Sequence, residues 1–347
     1  MSKTILLIGT LDTKGAEYLY VRDLIARRQL HVLTIDAGVI GEPVFAPDFS
    51  AAQVAEKGGS FLSELRQQAD RGVALEVMMR GASRLAVQLY EEGGFQGVLA
   101  LGGSGGTAIA TAAMRELPVG FPKVMVSTIA AGDVQAYVGV KDIAMMYSVT
   151  DIAGLNRLSR RILANAVGMI CGMVEQEQSP EASDQPLIAA TMFGVTTPCV
   201  DILRKRLESS GYEVMVFHAT GSGGQAMESL IDSGFVSGVA DVTTTEWCDE
   251  LVGGCLSAGP RRLEAAGRRG IPQVVSCGAL DMVNFLAFDT VPVKFKDRTL
   301  YRHNAHVTLM RTTPDECAQL GRIIAGKLNR ALGPTTLFLT AQRRQRD

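Results

Sequence analysis

The chain has 347 residues, enough for two domains that each bury a core of their own. A formal charge of −2, with 20% charged and 6% aromatic residues, is that of an ordinary globular protein and excludes a polybasic surface for nucleic acid or an anionic membrane as its main feature. No stretch is long and apolar enough to span a bilayer, and the six cysteines form no CxxC pair, so they read as reduced thiols of a cytoplasmic protein.

The opening Met1-Ser-Lys-Thr-Ile-Leu-Leu-Ile-Gly9 is apolar too briefly for a signal peptide and reads as a first strand at 4–9. A helix is predicted at 16–28 and a strand at 31–36. Then come a helix at 72–92, a strand at 97–101, a helix at 106–117, a strand at 122–127 and a helix at 154–174. The polar, twice-proline segment from Glu175 to Pro186 is the best boundary. The pattern then restarts: strand 187–194, helix 198–209, and strands at 213–218, 238–242 and 273–276. A helix with Pro at its first turn follows at 314–332, and a last strand at 335–340. This alternation predicts an α/β protein of two Rossmann-like, doubly wound lobes with parallel sheets and a cleft between them. The expected domains are 1–178 and 186–340, joined by a linker at 179–185 and followed by a basic tail at 341–347.

Both halves carry an apolar strand that runs into Gly-Ser-Gly-Gly at a helix start. The first is Gly97-Val-Leu-Ala-Leu-Gly-Gly-Ser-Gly-Gly-Thr107; the second ends in Thr220-Gly-Ser-Gly-Gly-Gln225. Glycine lets the backbone approach a ligand closely, and a helix start offers unpaired N–H groups and partial positive charge. Together they favour an anion, most often a phosphate. Gly103, Ser104, Gly105, Gly106 and Thr107 are therefore candidate ligand contacts, with Gly221 in the second turn.

Other candidates lie where strands end, since open α/β sheets bind ligands there. In Gly9-Thr-Leu-Asp-Thr-Lys-Gly15, the side chains of Thr10, Asp12 and Lys14 face such a ligand, or Lys14 is solvated beside a capped turn. The loop is neither a Walker A motif nor the GxGxxG fingerprint. Asp36 accepts from a ribose hydroxyl or caps a loop. Arg80, in an apolar setting, needs a phosphate or an internal carboxylate. Ser127 and Thr128 follow another strand. Glu246, after Thr243-Thr-Thr, is the candidate catalytic group, coordinating a magnesium–phosphate complex or acting as a base; a first-turn helix acid is the alternative. Arg302 and His303 read as polar cleft residues, because His303 and His306 lack further ligands at metal spacing. No G-x-S-x-G elbow supports a serine hydrolase.

Taken together, Ile8-Gly-Thr-Leu-Asp-Thr-Lys14, Arg80-Gly81, Leu101–Thr107, Pro122–Thr128, Val149–Asn156, Thr191–Pro198, Thr220–Gly224, Val239–Glu246 and Arg302-His-Asn304 resemble one family. It is the ATP-binding domain family of the tomato tobamovirus-resistance protein, an inhibitor of viral RNA replication, with stand-alone bacterial relatives grouped as an uncharacterised protein family. The resemblance runs to about Leu332. It implies ATP and Mg²⁺ in the cleft, a homodimer, and phosphate-side roles for Lys14, Arg80 and Gly103–Gly106. Ser127, Thr128, Gly194, Thr196, Thr197 and Glu246 become further cleft contacts. Such relatives usually continue beyond the last helix, where this chain has an Arg/Gln-rich tail. Three functions follow as expectations. The first is an ATP-dependent enzyme or subunit acting on a small metabolite. The second is a non-catalytic, nucleotide-dependent binding module. The third, an NAD(P)-dependent oxidoreductase, ranks below both because the first turn lacks GxGxxG.

Overall fold

A computed structural model describes residues 3–176 and 185–339. The chain divides into two compact units, Met1–Pro180 and Glu181–Asp347. Most of the expected linker, and the expected basic tail, lie outside the described residues.

The N-terminal unit runs β1 (Thr4–Gly9), α1 (Gly15–Ala26), β2 (His31–Asp36), α2 (Ala51–Gly58), α3 (Leu62–Gln68), α4 (Arg71–Glu91), β3 (Gly97–Gly102), α5 (Ser104–Glu116), β4 (Lys123–Ser127), α6 (Gln135–Val138), β5 (Ala144–Tyr147) and α7 (Arg157–Glu175). Its five strands are all parallel in the order β2-β1-β3-β4-β5. A parallel sheet is buried on both faces, and the strands supply both. Leu6, Ile8, Val98, Ala100 and Met125 pack under α2, α4 and α5. Alternate residues Ile5, Leu7, Leu99, Leu101, Val124 and Val126 pack under α1 and α7.

From β1 the chain goes first to β2 on one side and later to β3 on the other, so the sheet has its switch point between β1 and β3. Their ladder ends at Ile8↔Ala100. Beyond it, the Tyr18 hydroxyl of α1 accepts from the Leu101 N–H (2.9 Å) and donates to the Ile8 carbonyl (2.5 Å), spanning the gap where the strands part. Burial raises the Tyr18 pKa and keeps the phenol neutral. Gly9 makes room for this ring, since a Cβ there would lie 2.0 Å from it.

The C-terminal unit runs β6 (Leu187–Met192), α8 (Thr197–Glu208), β7 (Glu213–His218), α9 (Ser222–Asp232), β8 (Gly238–Thr243), α10 (Glu246–Val252), α11 (Ala265–Arg269), β9 (Gln273–Gly278), β10 (Met282–Phe285), β11 (Leu300–Arg302), β12 (Thr308–Arg311), α12 (Pro314–Leu328) and β13 (Thr335–Phe338). Its main sheet is parallel in the order β13-β9-β8-β6-β7, and β10-β12-β11 form a small antiparallel sheet. The expected α/β class, with two Rossmann-like parallel sheets, is what the chain forms.

The differences from expectation are local. Helices α2, α3, α6 and α11, strand β5 and the antiparallel sheet had no counterpart among the expected elements. Helix α5 starts at Ser104 rather than Gly106, because Gly105 and Gly106 already belong to its first turn. Helix α7 starts at Arg157 because Asn156 caps it, its side chain accepting from Leu158 N–H and Ser159 N–H, both at 2.9 Å.

Candidate functional site

At the switch point of the N-terminal unit lies a cavity of about 680 Å³. Three segments that follow strands build its floor and walls: Thr10–Lys14 after β1, Ala37–Ile40 after β2, and Gly102–Gly106 after β3. The corner between α3 and α4 closes the remaining side with Leu65, Arg66, Ala69, Asp70, Arg71 and Leu75. The volume is in the range of small-molecule and cofactor sites.

The α5 end of the cavity offers unpaired donors. Gly103 caps α5 without a side-chain hydrogen bond. The N–H groups of Ser104, Gly105 and Gly106 meet no acceptor among the described residues. Lys14 caps α1 in the same way, and its ammonium has no partner among the described residues. Helix α4 starts on the same cavity, so the N-termini of α1, α4 and α5 all border it, that of α4 being capped by Asp70. The cavity also has apolar lining, from Val39, Ile40, Leu65, Leu75, Met78 and Ile109.

Two carboxylates of this wall are spoken for by backbone amides. Asp12 Oδ2 accepts from Ile40 N–H (3.0 Å) and Gly41 N–H (3.1 Å), fixing the loop after β2. Asp70 Oδ1 caps α4, accepting from Gly72 N–H (2.8 Å) and Val73 N–H (3.1 Å). Arg66 ties α3 to the same loop, donating to the carbonyls of Val39 (2.7 Å) and Gly41 (2.9 Å).

Of the residues expected at the site, Thr10, Asp12, Lys14, Gly103, Ser104, Gly105 and Gly106 come together on this cavity. Others take different tasks. Asp36 is 2% exposed and its Oδ1 accepts from Leu11 N–H (3.0 Å) and Gly38 N–H (2.9 Å), so it shapes the floor rather than facing a ribose. Burial raises its pKa. Thr107 and Ser127 are fully buried and share a 2.7 Å hydrogen bond that ties α5 to β4. Thr128 stands beside Gly103, outside the cavity lining. Arg80 lies further along α4, exposed, and donates to the Gly58 carbonyl (3.1 Å). Its expected phosphate or carboxylate partner is replaced by a helix C-terminal carbonyl. Arg66 and Arg71 went unnoticed in the sequence because no motif surrounds them.

The second glycine turn is already occupied by an anion of the chain itself. Glu246 Oε1 accepts from Gly221 N–H (2.7 Å) and Gly224 N–H (3.0 Å), at the start of α9. Its Oε2 accepts from Arg262 Nε (2.7 Å). The Arg262 guanidinium also forks onto Asp241 (2.5 and 2.7 Å) and reaches Glu228 (3.4 Å). Arg262, Glu246 and Asp241 are each 1% exposed. Burial alone would lower the Arg262 pKa, but Asp241, Glu246 and Glu228 outweigh it and raise it; burial raises Glu246 and Glu228 despite the arginine. Glu246, expected as a magnesium ligand or base, is therefore an internal ligand of its own fold, and Gly221 serves it rather than a phosphate.

The remaining C-terminal candidates take other places in the unit. Thr196 shares a 2.7 Å hydrogen bond with Thr243, Gly194 forms the turn before it at φ 45°, and Thr197 begins α8. Arg302 lies exposed in the antiparallel sheet with its guanidinium 4.1 Å from the Phe288 ring centre.

Asp249 gives this unit a pH dependence. Its carboxylate accepts from the Asn284 side-chain amide (2.8 Å), the Asn284 N–H (3.0 Å) and the Leu256 N–H (3.2 Å), yet burial pushes its pKa up from 3.8 to about 6. The fold then favours the protonated form, so this contribution is full below about pH 4 and lost as pH rises through about 6. Relative to Asp249→Asn, the wild-type unit is expected to lose about 2.5 kcal/mol between pH 4 and pH 7, from slightly under two units at about 1.36 kcal/mol each. Urea denaturation followed by the single tryptophan, Trp247, measures it. Parallel stability curves for the two proteins would refute it.

No helix among the described residues is long and apolar enough to cross a membrane. The N-terminal domain of the uncharacterised protein family UPF0261 matches residues 3–179, and its C-terminal domain matches residues 185–342. A UPF0261 protein of Clostridium tetani is 56% identical over 339 residues, spanning 98% of this chain and 84% of its own. UPF0261 protein RA0729 of Rhizobium meliloti is 48% identical over 337 residues, 97% of this chain and 83% of its own. The ToMV resistance protein Tm-1(GCR237) of Solanum lycopersicum is 44% identical over 266 residues, which are 75% of this chain but 35% of the tomato protein. With both domains matched end to end, the chain belongs to the uncharacterised protein family UPF0261.

Proposed function

We propose that the N-terminal unit binds ATP, as its Mg²⁺ complex, in the cavity at the β1–β3 switch point. The observation that carries this reading is the convergence of three helix N-termini on one cavity, with Lys14 and the acceptor-free amides of Ser104–Gly106 at the same end. The phosphates belong at that end. The adenine belongs among the apolar lining after β2 and on α3, Val39, Ile40 and Leu65. Mg²⁺ arrives with the triphosphate, and Asp12 stands on the cavity wall with Oδ1 free of hydrogen bonds.

The disposition of Glu246 bears on what the nucleotide is for. An enzyme acting on a small metabolite needs a base or metal ligand facing its substrate, and Glu246 is buried against Arg262. That observation favours the second reading, in which ATP binding stabilises one conformation of the N-terminal unit for a partner to recognise and chemistry is not required.

A thermal-shift titration with ATP, ADP, AMP and NAD⁺, each with and without Mg²⁺, tests the ligand. ATP at a hundredfold excess over its dissociation constant is expected to stabilise the protein by about 2.7 kcal/mol, a shift of a few degrees. A larger response to NAD⁺ than to ATP reassigns the cavity to a dinucleotide. No response to any nucleotide removes the reading.

A further inference from the structure

Arg71 is the first residue of α4 and lines the same cavity. Arg71 is exposed, and its guanidinium has no hydrogen-bond or ion-pair partner among the described residues. Its neighbour Asp70 instead caps α4 through Oδ1. The guanidinium also stands over the start of another helix: Nη2 would lie 3.8 Å from a Cβ built on Gly105, in the first turn of α5.

The Asp70 carboxylate offsets the dipole of α4, whereas the first turn of α5 beneath the guanidinium has no carboxylate cap. Arg71 and the free first-turn amides of α5 thus meet on one cavity, with Asp70 already engaged as the cap of α4. The arrangement becomes favourable when an anion with several acceptor oxygens fills the gap. A guanidinium suits a phosphate group in particular, because its fork donates two parallel hydrogen bonds.

We propose that Arg71 is the residue that makes the cavity selective for phosphorylated ligands: it and the first-turn amides of α5 grip the same phosphate group. This rests on the nucleotide reading above for the identity of the whole ligand, but the phosphate grip is a narrower claim. Its ligand class is a phosphate ester or polyphosphate. The corresponding nucleoside draws no affinity from Arg71.

Calorimetric titration of the full chain with ATP, adenosine and inorganic pyrophosphate, in wild type, Arg71→Ala and Arg71→Lys, tests it. Arg71→Ala is expected to weaken ATP and pyrophosphate by about 10- to 100-fold, the range for a lost charge-assisted hydrogen bond. Adenosine affinity stays unchanged, and Arg71→Lys recovers part of the loss. Without ligand, Arg71→Ala is expected to melt at the same temperature as wild type or higher, because it removes an exposed cation that makes no hydrogen bond or ion pair among the described residues. A lower melting temperature for ligand-free Arg71→Ala would assign Arg71 a structural role and overturn the proposal. Equal ATP affinity in wild type and Arg71→Ala would overturn it while leaving the nucleotide reading standing. Pyrophosphate binding that depends on Arg71, with no gain from adenosine, would uphold the grip and end the ATP reading. Failure of wild type to bind either anion ends both.

Discussion

Arg262→Met is expected to destabilise the C-terminal unit by about 3–5 kcal/mol, the cost of stranding a buried charge by removing its partner. One guanidinium there faces Asp241, Glu246 and Glu228, so its loss leaves carboxylates that water cannot reach. They must either stay ionised in a poor dielectric or take up protons on folding. Trp247 adjoins Glu246 and is 5% exposed, so its fluorescence reports the unfolding of this unit directly. Urea curves at neutral pH should show the midpoint of Arg262→Met well below that of wild type. The loss should shrink in acid, where the stranded carboxylates are protonated in both states. An unchanged midpoint would mean that the network is not holding β8, α9 and α10 together.

Gly105→Ala is expected to do the opposite to stability and far more to function. A Cβ at Gly105 would find its nearest neighbours at 3.8 Å (Arg71 Nη2) and 3.9 Å (Leu75 Cδ1), so the ligand-free protein accommodates it. Alanine is also the better helix former, by up to about 1 kcal/mol in a helix interior and less at a first turn. Stability should therefore hold or rise slightly. The added methyl group, however, occupies the approach to the first-turn amides of α5, and ATP affinity should fall by at least about 100-fold, or roughly 2.7 kcal/mol. A change in the second glycine turn, at Gly224 (the counterpart of Gly106), has the reverse signature. A Cβ on Gly224 would lie 2.1 Å from Glu246 Oε2, so Gly224→Ala costs stability and leaves ATP affinity alone. Urea denaturation and calorimetry on both variants separate a glycine kept for a ligand from one kept for packing.

These two turns also show how far sequence carries and where it stops. Strand–glycine–helix is a local pattern, and β1, β2 and β7 fall on the predicted residues because apolar runs bounded by turns are local too. What fills a glycine turn is not local. Glu246 reaches Gly221 from 25 residues away, and Arg262 meets Glu246 across a further 16. Two turns that read alike therefore have different occupants. Arg80 misled for a related reason: its apolar neighbours belong to the buried face of α4, while its own side chain leaves that face for the Gly58 carbonyl.

Arg71 was invisible for the converse reason. It carries no motif, and only the α3–α4 corner brings it over Gly105. Helix α2 did leave a local mark that went unread. Ser50 and Gln53 form a reciprocal cap, the Ser50 hydroxyl accepting from Gln53 N–H (3.4 Å) and Gln53 Oε1 accepting from Ser50 N–H (2.8 Å). The small antiparallel sheet left no comparable sign, because β10, β11 and β12 are only three or four residues long.

The most direct measurement of the central claim is a calorimetric titration of Mg²⁺-ATP into wild type and Gly105→Ala, with their urea curves recorded alongside. The account predicts a single saturable site per chain in wild type. It predicts that the site is lost in Gly105→Ala while the denaturation midpoint is kept or raised. No binding by wild type, or equal affinity in the two proteins, would contradict a phosphate site at the start of α5.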